Sequence, residues 1–372
     1  MVVFLRSTDC NPDPRVRKYI DALNSEGLHS HIICWDRSAL TADDAHHTYF
    51  RHRAEYGSGM RNYKSLLGFN LFLFQNLYRR RKSYQIIHAC DFDTILPALF
   101  FKVFFGKKVI YDIFDWFVDS RNISSNVLKK CILLFERMAL RQSDIVIICD
   151  ERRRQQLNQV PKVLWILPNI PQIKIEEKCR NEQNKSPEKL YLAYVGILPI
   201  DRGLDKILKC VSQHPDLVLD IAGFGILAES ARSYGERYDN IRFHGAVPYA
   251  DGISIMSQAD LIIATYEKSS KNNVYAAPNK YYEGLFLGKA ILTTEGTILA
   301  DSTLSYRTGF VIGETFDDYE AFFSDVRSLK EECTQYGLNA KKLWNDTYRD
   351  YVGLFMHTKY LRFIRSSLQT MP

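Results

Sequence analysis

The chain has 372 residues, 46% of them hydrophobic, and a formal net charge of +6. At roughly 100–200 residues per domain this length gives two domains, long enough for a core in each. The charge is uneven: residues 1–168 hold 25 Lys and Arg against 17 Asp and Glu, net +8, which leaves 24 against 26 for the remainder, net −2. A basic first half favours an anionic membrane, a phosphate-bearing substrate or nucleic acid, and no nucleic-acid recognition fold is spelled in it. The eight cysteines form no C-x-x-C pair and follow no zinc spacing; Cys34, Cys90 and Cys149 lie inside apolar runs and read as buried thiols in a reducing compartment.

The opening MVVFL reads as a strand broken by Arg6 and not as a signal peptide. Ser7–Pro14 is a polar loop, Arg15–Glu26 a helix ending at Gly27, and Ser30–Trp35 the next strand, which together make a βαβ unit and predict a parallel sheet. Asp43–Ser65 is polar. Leu66–Tyr78 is apolar nearly all round and runs into Arg79, Arg80, Arg81 and Lys82. Strands follow at Gln85–Ala89, Lys108–Asp112, Asp144–Cys149 and Val163–Ile166, with helices at Asp93–Phe105 and Val127–Arg141. The apolar windows Leu66–Leu77 and Pro97–Phe105 fall short of the about 20 residues a bilayer needs, so the expectation is a cytoplasmic chain with peripheral membrane contact at most.

A charged, aperiodic linker occupies 171–189. A second α/β series begins with the strand Leu190–Val195 and continues with Gly203–His214 (helix), Val218–Ala222 (strand), Ile226–Tyr234 (helix), Ile241–His244 (strand), Tyr249–Gln258 (helix) and Leu261–Ala264 (strand). The stretch YAAPNKYYEGLFLGKAIL, 275–292, predicts a loop, a helix over Lys280–Leu287 and a strand over Lys289–Thr294, with Pro278 setting the first helical turn and Gly288 the C-cap. Gly309–Ile312, a helix over Asp317–Lys330 and a helical tail from Gly337 to Arg365 complete the chain. The domains are thus 1–170 and 190–345, with 346–372 a C-terminal helix that packs back on the first. Two doubly wound domains of this kind leave a cleft at the C-terminal strand ends, where ligands bind in such sheets.

The chemistry concentrates in the second series. Gly196, Gly223 with Gly225, and Gly245 follow three successive strands, where glycine admits a ligand close to the backbone. The spacing is neither G-x-G-x-x-G nor a P-loop, which disfavours a dehydrogenase or an NTPase. Arg202 opens a helix, a position suited to a bidentate grip on phosphate or to a solvated surface arginine; Lys206 reads first as a surface lysine. Glu283, on the helix after Pro278, suits sugar hydroxyls, and the N-terminus of that helix favours an anion.

Four segments in order, YVGILPIDRGLDKIL, LDIAGFG, IRFHGAVP and APNKYYEGLFLGKAIL, resemble the donor-binding domain of family 4 glycosyltransferases, and DPRVRKYIDAL, IIHACDFDTILPAL and KKVIYDIFD resemble the first domain of that family. The resemblance implies the GT-B architecture, α/β with two facing Rossmann-like doubly wound domains and an interdomain cleft. It implies Glu283 on the donor ribose, Arg202 on the diphosphate, Gly245 and Val247 beside the base, and Pro278, Asn279 and Lys280 beside the diphosphate and sugar. Gly196, Gly223, Gly225 and Lys206 complete the implied donor set. It places Asp13, Arg15, Asp91 and Asp93 on the acceptor side. Three departures stand out: Tyr275 replaces the first Glu of the family's Glu-x7-Glu pair, Ile197 replaces the basic residue after the first glycine, and Phe114 replaces a His, with Asp112 and Asp115 flanking it.

The expected activity is a metal-independent, retaining transfer of a hexose-type sugar from a UDP- or GDP-sugar, without a cofactor, onto a growing glycan linked to a polyprenyl diphosphate in bacterial surface polysaccharide assembly. Arg202, Asp112 and Asp115 are the residues expected at the chemistry. Asp91-Phe92-Asp93 spells D-x-D but lies in the first domain, away from the diphosphate, so no metal is assigned. Leu66–Lys82 reads as an inner-leaflet membrane surface, while Phe100–Phe105 reads first as a core helix. A nucleotide-sugar epimerase and a non-catalytic nucleotide-sugar-binding partner of a glycan assembly complex are the alternatives.

Overall fold

The computed structural model describes residues 1–8, 13–54, 63–121, 123, 125–172 and 185–369. Of the linker expected at 171–189, residues 173–184 lie outside the described residues. The chain divides into two units, Met1–Pro168 with Tyr351–Pro372 and Asn169–Asp350.

The first unit runs β1 (Val2–Arg6), α1 (Pro14–Ser25), β2 (Ser30–Asp36), β3 (His47–Arg51), α2 (Tyr63–Arg79), β4 (Ile86–Cys90), α3 (Phe92–Phe105), β5 (Lys108–Ile113), α4 (Phe117–Ser120), α5 (Asn126–Gln142), β6 (Ile145–Ile148) and β7 (Leu164–Ile166). Its seven strands form a parallel sheet in the order β3-β2-β1-β4-β5-β6-β7. The continuous apolar runs of the inner strands fit a sheet covered on both faces. One face packs Leu5, Trp35, Phe69, Ile87 and Phe101. The other packs Phe4, Tyr19, Ile86 and Ile110 with Phe355, Tyr360 and Ile364 from the C-terminal helical segment 351–369.

Two segments differ from expectation. The stretch 43–65, read as polar, contains β3, whose five residues pair in register with β2 from Ile32↔His47 to Asp36↔Arg51. An edge strand with His and Arg at its ends needs apolar side chains only at Tyr49 and Phe50, too few to register as a period. Phe100–Phe105, read first as core, is core at Phe101 but carries Val103 at 61% and Phe104 at 67% exposure.

The second unit runs β8 (Leu190–Ile197), α6 (Leu204–Gln213), β9 (Leu217–Phe224), α7 (Ala228–Arg237), β10 (Ile241–Phe243), α8 (Tyr249–Ser257), β11 (Leu261–Ile263), α9 (Lys271–Val274), α10 (Asn279–Leu287), β12 (Ala290–Thr294), α11 (Ile298–Ser305), β13 (Gly309–Ile312), α12 (Phe316–Phe322) and α13 (Val326–Leu343). Its six parallel strands are ordered β10-β9-β8-β11-β12-β13. Both sheets are therefore doubly wound. The strand order reverses beside β1 and β4 in the first unit and beside β8 and β11 in the second, and the carboxyl ends of such strand pairs are where α/β sheets take ligands.

Candidate functional site

The switch point of the second unit gathers side chains from the loops after β8 and β11 and from α8 and α10. Pro278 caps α10 in an extended conformation, and Asn279 and Lys280 form its first turn. Lys280 and Glu283, three residues apart, share one face of the helix. The Lys280 chain lies where a side chain on Gly196 would stand, its Cε 3.2 Å from that position, and its Nζ sits 3.5 Å from the centre of the Tyr194 ring. Burial, reinforced by the Arg202 charge and opposed by Glu283, brings the Lys280 ammonium down to about 7. Glu283 is 5% exposed and accepts a hydrogen bond of 3.0 Å from the Tyr249 hydroxyl at the start of α8. Burial raises its carboxyl, against Tyr249 and Lys280.

Arg202 ends a 3-10 turn, and Gly203 then adopts φ +63° to start α6; a Cβ there would lie 2.3 Å from the Tyr319 hydroxyl, so no larger residue fits. The guanidinium lies over the Tyr266 ring at 4.2 Å. Its Nη1 donates to the Asp201 carbonyl and to Asn273 Oδ1, both at 3.0 Å, and pairs with Asp201 Oδ1 at 2.9 Å. All three contacts use Nη1, so among the described residues Nε and Nη2 stay available as donors. The fork is thus held in place by one nitrogen and offers the other two, the arrangement a phosphate grip requires. Lys206 instead pairs with Glu267 at 2.5 Å.

Packing by itself accounts for two of the strand-end glycines. A Cβ on Gly223 would meet the Gly196 carbonyl at 1.8 Å, and one on Gly225 the Leu198 carbonyl at 2.7 Å, so both are required by the close approach of the β8 and β9 ends. Gly245, at φ +68°, faces open space, and Val247 is half-buried on the way to α8. Tyr194, Tyr249, Tyr266 and Asn273 were not foreseen. Tyr249, at the first position of α8 two residues beyond Val247, had a positional signal; Asn273 had none, because the short helix α9 that carries it has no apolar period.

The switch point of the first unit is built from paired charges. Asp13 caps α1, accepting from the backbone N–H groups of Arg15 and Val16, and takes a 2.8 Å hydrogen bond from Arg6 Nε. Arg6 also pairs with Asp91, whose other oxygen accepts from the N–H groups of Phe114 (2.8 Å) and Asp115 (3.3 Å). Asp91 sits at φ +66°, a strained position for a non-glycine residue, and burial lifts its carboxyl to about 6 against the Arg6 charge. Asp93 is bidentate to Arg121 at 2.8 Å and accepts from Ser7. Phe114, where the family resemblance calls for a His, lies under Arg6 at 4.1 Å and Arg15 at 5.0 Å.

Asp112, expected at the chemistry, is fully buried. Arg15 Nη2 donates to it at 2.7 Å and Tyr19 at 2.8 Å, and His88 Nε2 stands 3.5 Å away. A carboxylate so enclosed holds the sheet together and reaches no substrate; Arg15, 5% exposed and also donating to the Leu167 carbonyl, shares that role. Asp115, by contrast, is exposed and stands 3.5 Å from Arg153 Nη2.

Residues 175–343 match the family model described as glycosyl transferases group 1. Structures similar over nearly the whole chain include sucrose-phosphate synthase from Thermosynechococcus elongatus (TM-score 0.74, 14% identity, 98% of this chain and 100% of that one) and Anabaena HepE in complex with UDP (0.69, 12%, 98% and 99%). WaaG, a glycosyltransferase involved in lipopolysaccharide biosynthesis, is similar at 0.66 with 14% identity over 93% of this chain and 95% of that one. No curated protein matches the sequence at a significant level. The chain has the GT-B fold, and its second unit contains the segment that matches the group 1 glycosyl transferase family model.

Proposed function

We propose that this chain is a retaining glycosyltransferase of family 4 that moves a hexose-type sugar from a nucleotide-diphosphate donor to a lipid-linked glycan in bacterial surface polysaccharide assembly. The observation that carries the reading is the Arg202 fork held by Nη1, with its other two donors unused among the described residues, in the unit whose α10 presents Lys280 and Glu283 on one face. Glu283 holds the ribose hydroxyls, Arg202 and Lys280 hold the diphosphate, and Pro278 and Asn279 border the sugar. As the glycosidic bond breaks, charge grows on the departing diphosphate. Two fixed cations and the α10 N-terminus stabilise it without a metal ion. HepE structures with UDP and with UDP-glucose support a uridine nucleotide as the first donor to try. The acceptor meets the first unit at Arg6, Asp13 and Asp91, with Asp93 fixed behind them by Arg121, and Asp115 is the accessible carboxylate at the end of β5.

Turnover with a panel of UDP- and GDP-sugars, followed as nucleoside diphosphate release, tests the reading. Release with at least one donor supports it. Binding without turnover points to the non-catalytic partner, and conversion of the donor sugar without release points to the epimerase.

Lys280 gives the site a pH signature. A nucleotide-diphosphate sugar has no group that titrates near neutrality, so its affinity follows the ammonium. Affinity is expected to fall as pH rises through about 7, approaching tenfold per pH unit when one proton is taken up on binding, and to become flat in Lys280→Met. Calorimetric titrations at pH 6 to 9 in roughly unit steps read the slope; a wild-type curve as flat as the variant's contradicts the assignment.

The first unit also offers a lipid-facing surface. α2 buries Phe69, Leu73 and Leu77 and turns Leu67, Leu71 and Tyr78 outward, with Arg79 and Lys82 exposed at its end. Each such cation contributes about 1 kcal/mol at an anionic membrane. Reversing Arg79, Arg81 and Lys82 to Glu is expected to cut sedimentation with anionic liposomes by more than about tenfold and to leave unfolding unchanged. Equal sedimentation of wild type and variant removes the membrane surface from the account.

A further inference from the structure

At the end of α6 remote from the Arg202 turn, three metal-ligand side chains from α6, its C-cap and α12 come together. Cys210 lies in the last turn of α6 and His214 is the residue that caps it, in an extended conformation. Glu320, on α12, faces them. Cys210 Sγ, His214 Nε2 and a Glu320 oxygen lie within 4.8 Å of one another, the only such group among the described residues, and His214 Nε2 is 3.4 Å from Glu320 Oε2. The second Glu320 oxygen, Oε1, is buried without a hydrogen bond of ordinary geometry, and the Cys210 thiol stands against the same carboxylate. Cys210 is fully buried, while His214 and Glu320 keep 26% and 33% of their side chains exposed, which gives a cation and one water an entry path.

A tetrahedral zinc ion with sulfur at about 2.3 Å and nitrogen and oxygen at about 2.0–2.1 Å sets ligand atoms about 3.3–3.7 Å apart. The His214–Glu320 pair, at 3.4 Å, already has that spacing, and the remaining pairs lie within 4.8 Å. A mixed sulfur, nitrogen and oxygen donor set suits zinc above calcium or magnesium, which take oxygen alone. A buried carboxylate oxygen without a well-formed hydrogen bond is costly, and a bound cation satisfies it.

We propose that Cys210, His214 and Glu320 bind a zinc ion that clamps α12 onto α6. Binding replaces the thiol proton, which is released to solvent, so affinity falls as pH is lowered. The clamp has a structural reach: Tyr319, the neighbour of Glu320, places its hydroxyl against Gly203, the residue after Arg202, and its carbonyl 3.9 Å from Cys210 Sγ. The proposal does not depend on the sugar-transfer reading.

The test uses the untagged full chain, stripped with chelator and titrated with Co(II) and then Zn(II). One equivalent of Co(II) is expected, with the visible bands of tetrahedral coordination and a thiolate charge-transfer band that Zn(II) abolishes. Cys210→Ser should lose the charge-transfer band. His214→Gln and Glu320→Gln, both at partly exposed positions, should fold as wild type and bind at least tenfold more weakly. Zinc should raise the unfolding temperature of wild type and not that of Glu320→Gln. Absence of a tetrahedral thiolate spectrum, or equal affinity in the His214 and Glu320 variants, overturns the site and leaves adventitious metal as the explanation.

Discussion

Arg202→Ala is expected to lower kcat/KM for the nucleotide-sugar donor about 10²–10³-fold, with most of the loss in kcat. The reason lies in how the guanidinium is held. Asp201 and Asn273 fix Nη1 and the Tyr266 ring supports the plane, so Nε and Nη2 are aimed before any ligand arrives. A preorganised donor pair is worth most where charge grows during reaction, and that is the departing diphosphate. Arg202→Lys should recover little, because an ammonium is a point charge that cannot make the two-pronged contact and loses the stack on Tyr266. Steady-state kinetics on the three proteins, with unfolding temperature as a control, separates this from a packing defect. An alanine variant with wild-type kcat would remove Arg202 from the chemistry.

Asp112→Ala is expected to destabilise the first unit by about 3–5 kcal/mol, because it strands a buried guanidinium. Arg15 is 5% exposed and has Asp112 as its counter-charge, and Tyr19 and His88 face the same carboxylate. Burial alone would raise the Asp112 carboxyl, but Arg15, together with His88, holds it well below the usual carboxylate range. A depressed folded value means that this stabilisation is complete above the unfolded value of about 4 and is lost as pH falls below it. The double replacement Arg15→Met with Asp112→Leu should regain much of the loss, since a packed apolar pair often matches a buried ion pair. Trp35, Trp116 and Trp165 lie in the first unit and only Trp344 in the second, so urea unfolding followed by tryptophan fluorescence reports chiefly on this unit. An Asp112→Ala protein as stable as wild type but without turnover would restore Asp112 to the chemistry.

The parallel sheets were legible because their strands are short apolar runs punctuated by glycine, proline or aspartate, and that punctuation is local. β3 was not legible: its place at a sheet edge is decided by pairing with β2, and its own sequence is mostly polar. At the site, the stretch 275–292 announced itself through Pro278, a helix start and a carboxylate at Glu283, all within two turns. Asp112 misled because chain position at a strand end is shared by catalytic and structural carboxylates. What distinguishes them here is Arg15, 97 residues away in sequence, arriving from α1. Gly223 and Gly225 show the same dependence on context: the sequence shows that a side chain is disfavoured, while only the packing shows that the backbone at the end of β8 already forbids one. Cys210 and His214 are close in sequence, but their third partner, Glu320, lies 106 residues beyond His214.

The central claim is that α10 and the Arg202 turn hold a nucleotide diphosphate. Calorimetric titration of UDP and of GDP into wild type and Glu283→Gln tests it most directly. Gln keeps the shape of the side chain and the contact from Tyr249 but gives up the charged acceptor for the ribose, a loss of about 1.5–3 kcal/mol. The account predicts one site per chain for at least one of the two nucleotides and binding at least tenfold weaker in the variant. Failure of both nucleotides to bind wild type, or equal affinity in Glu283→Gln, would contradict it.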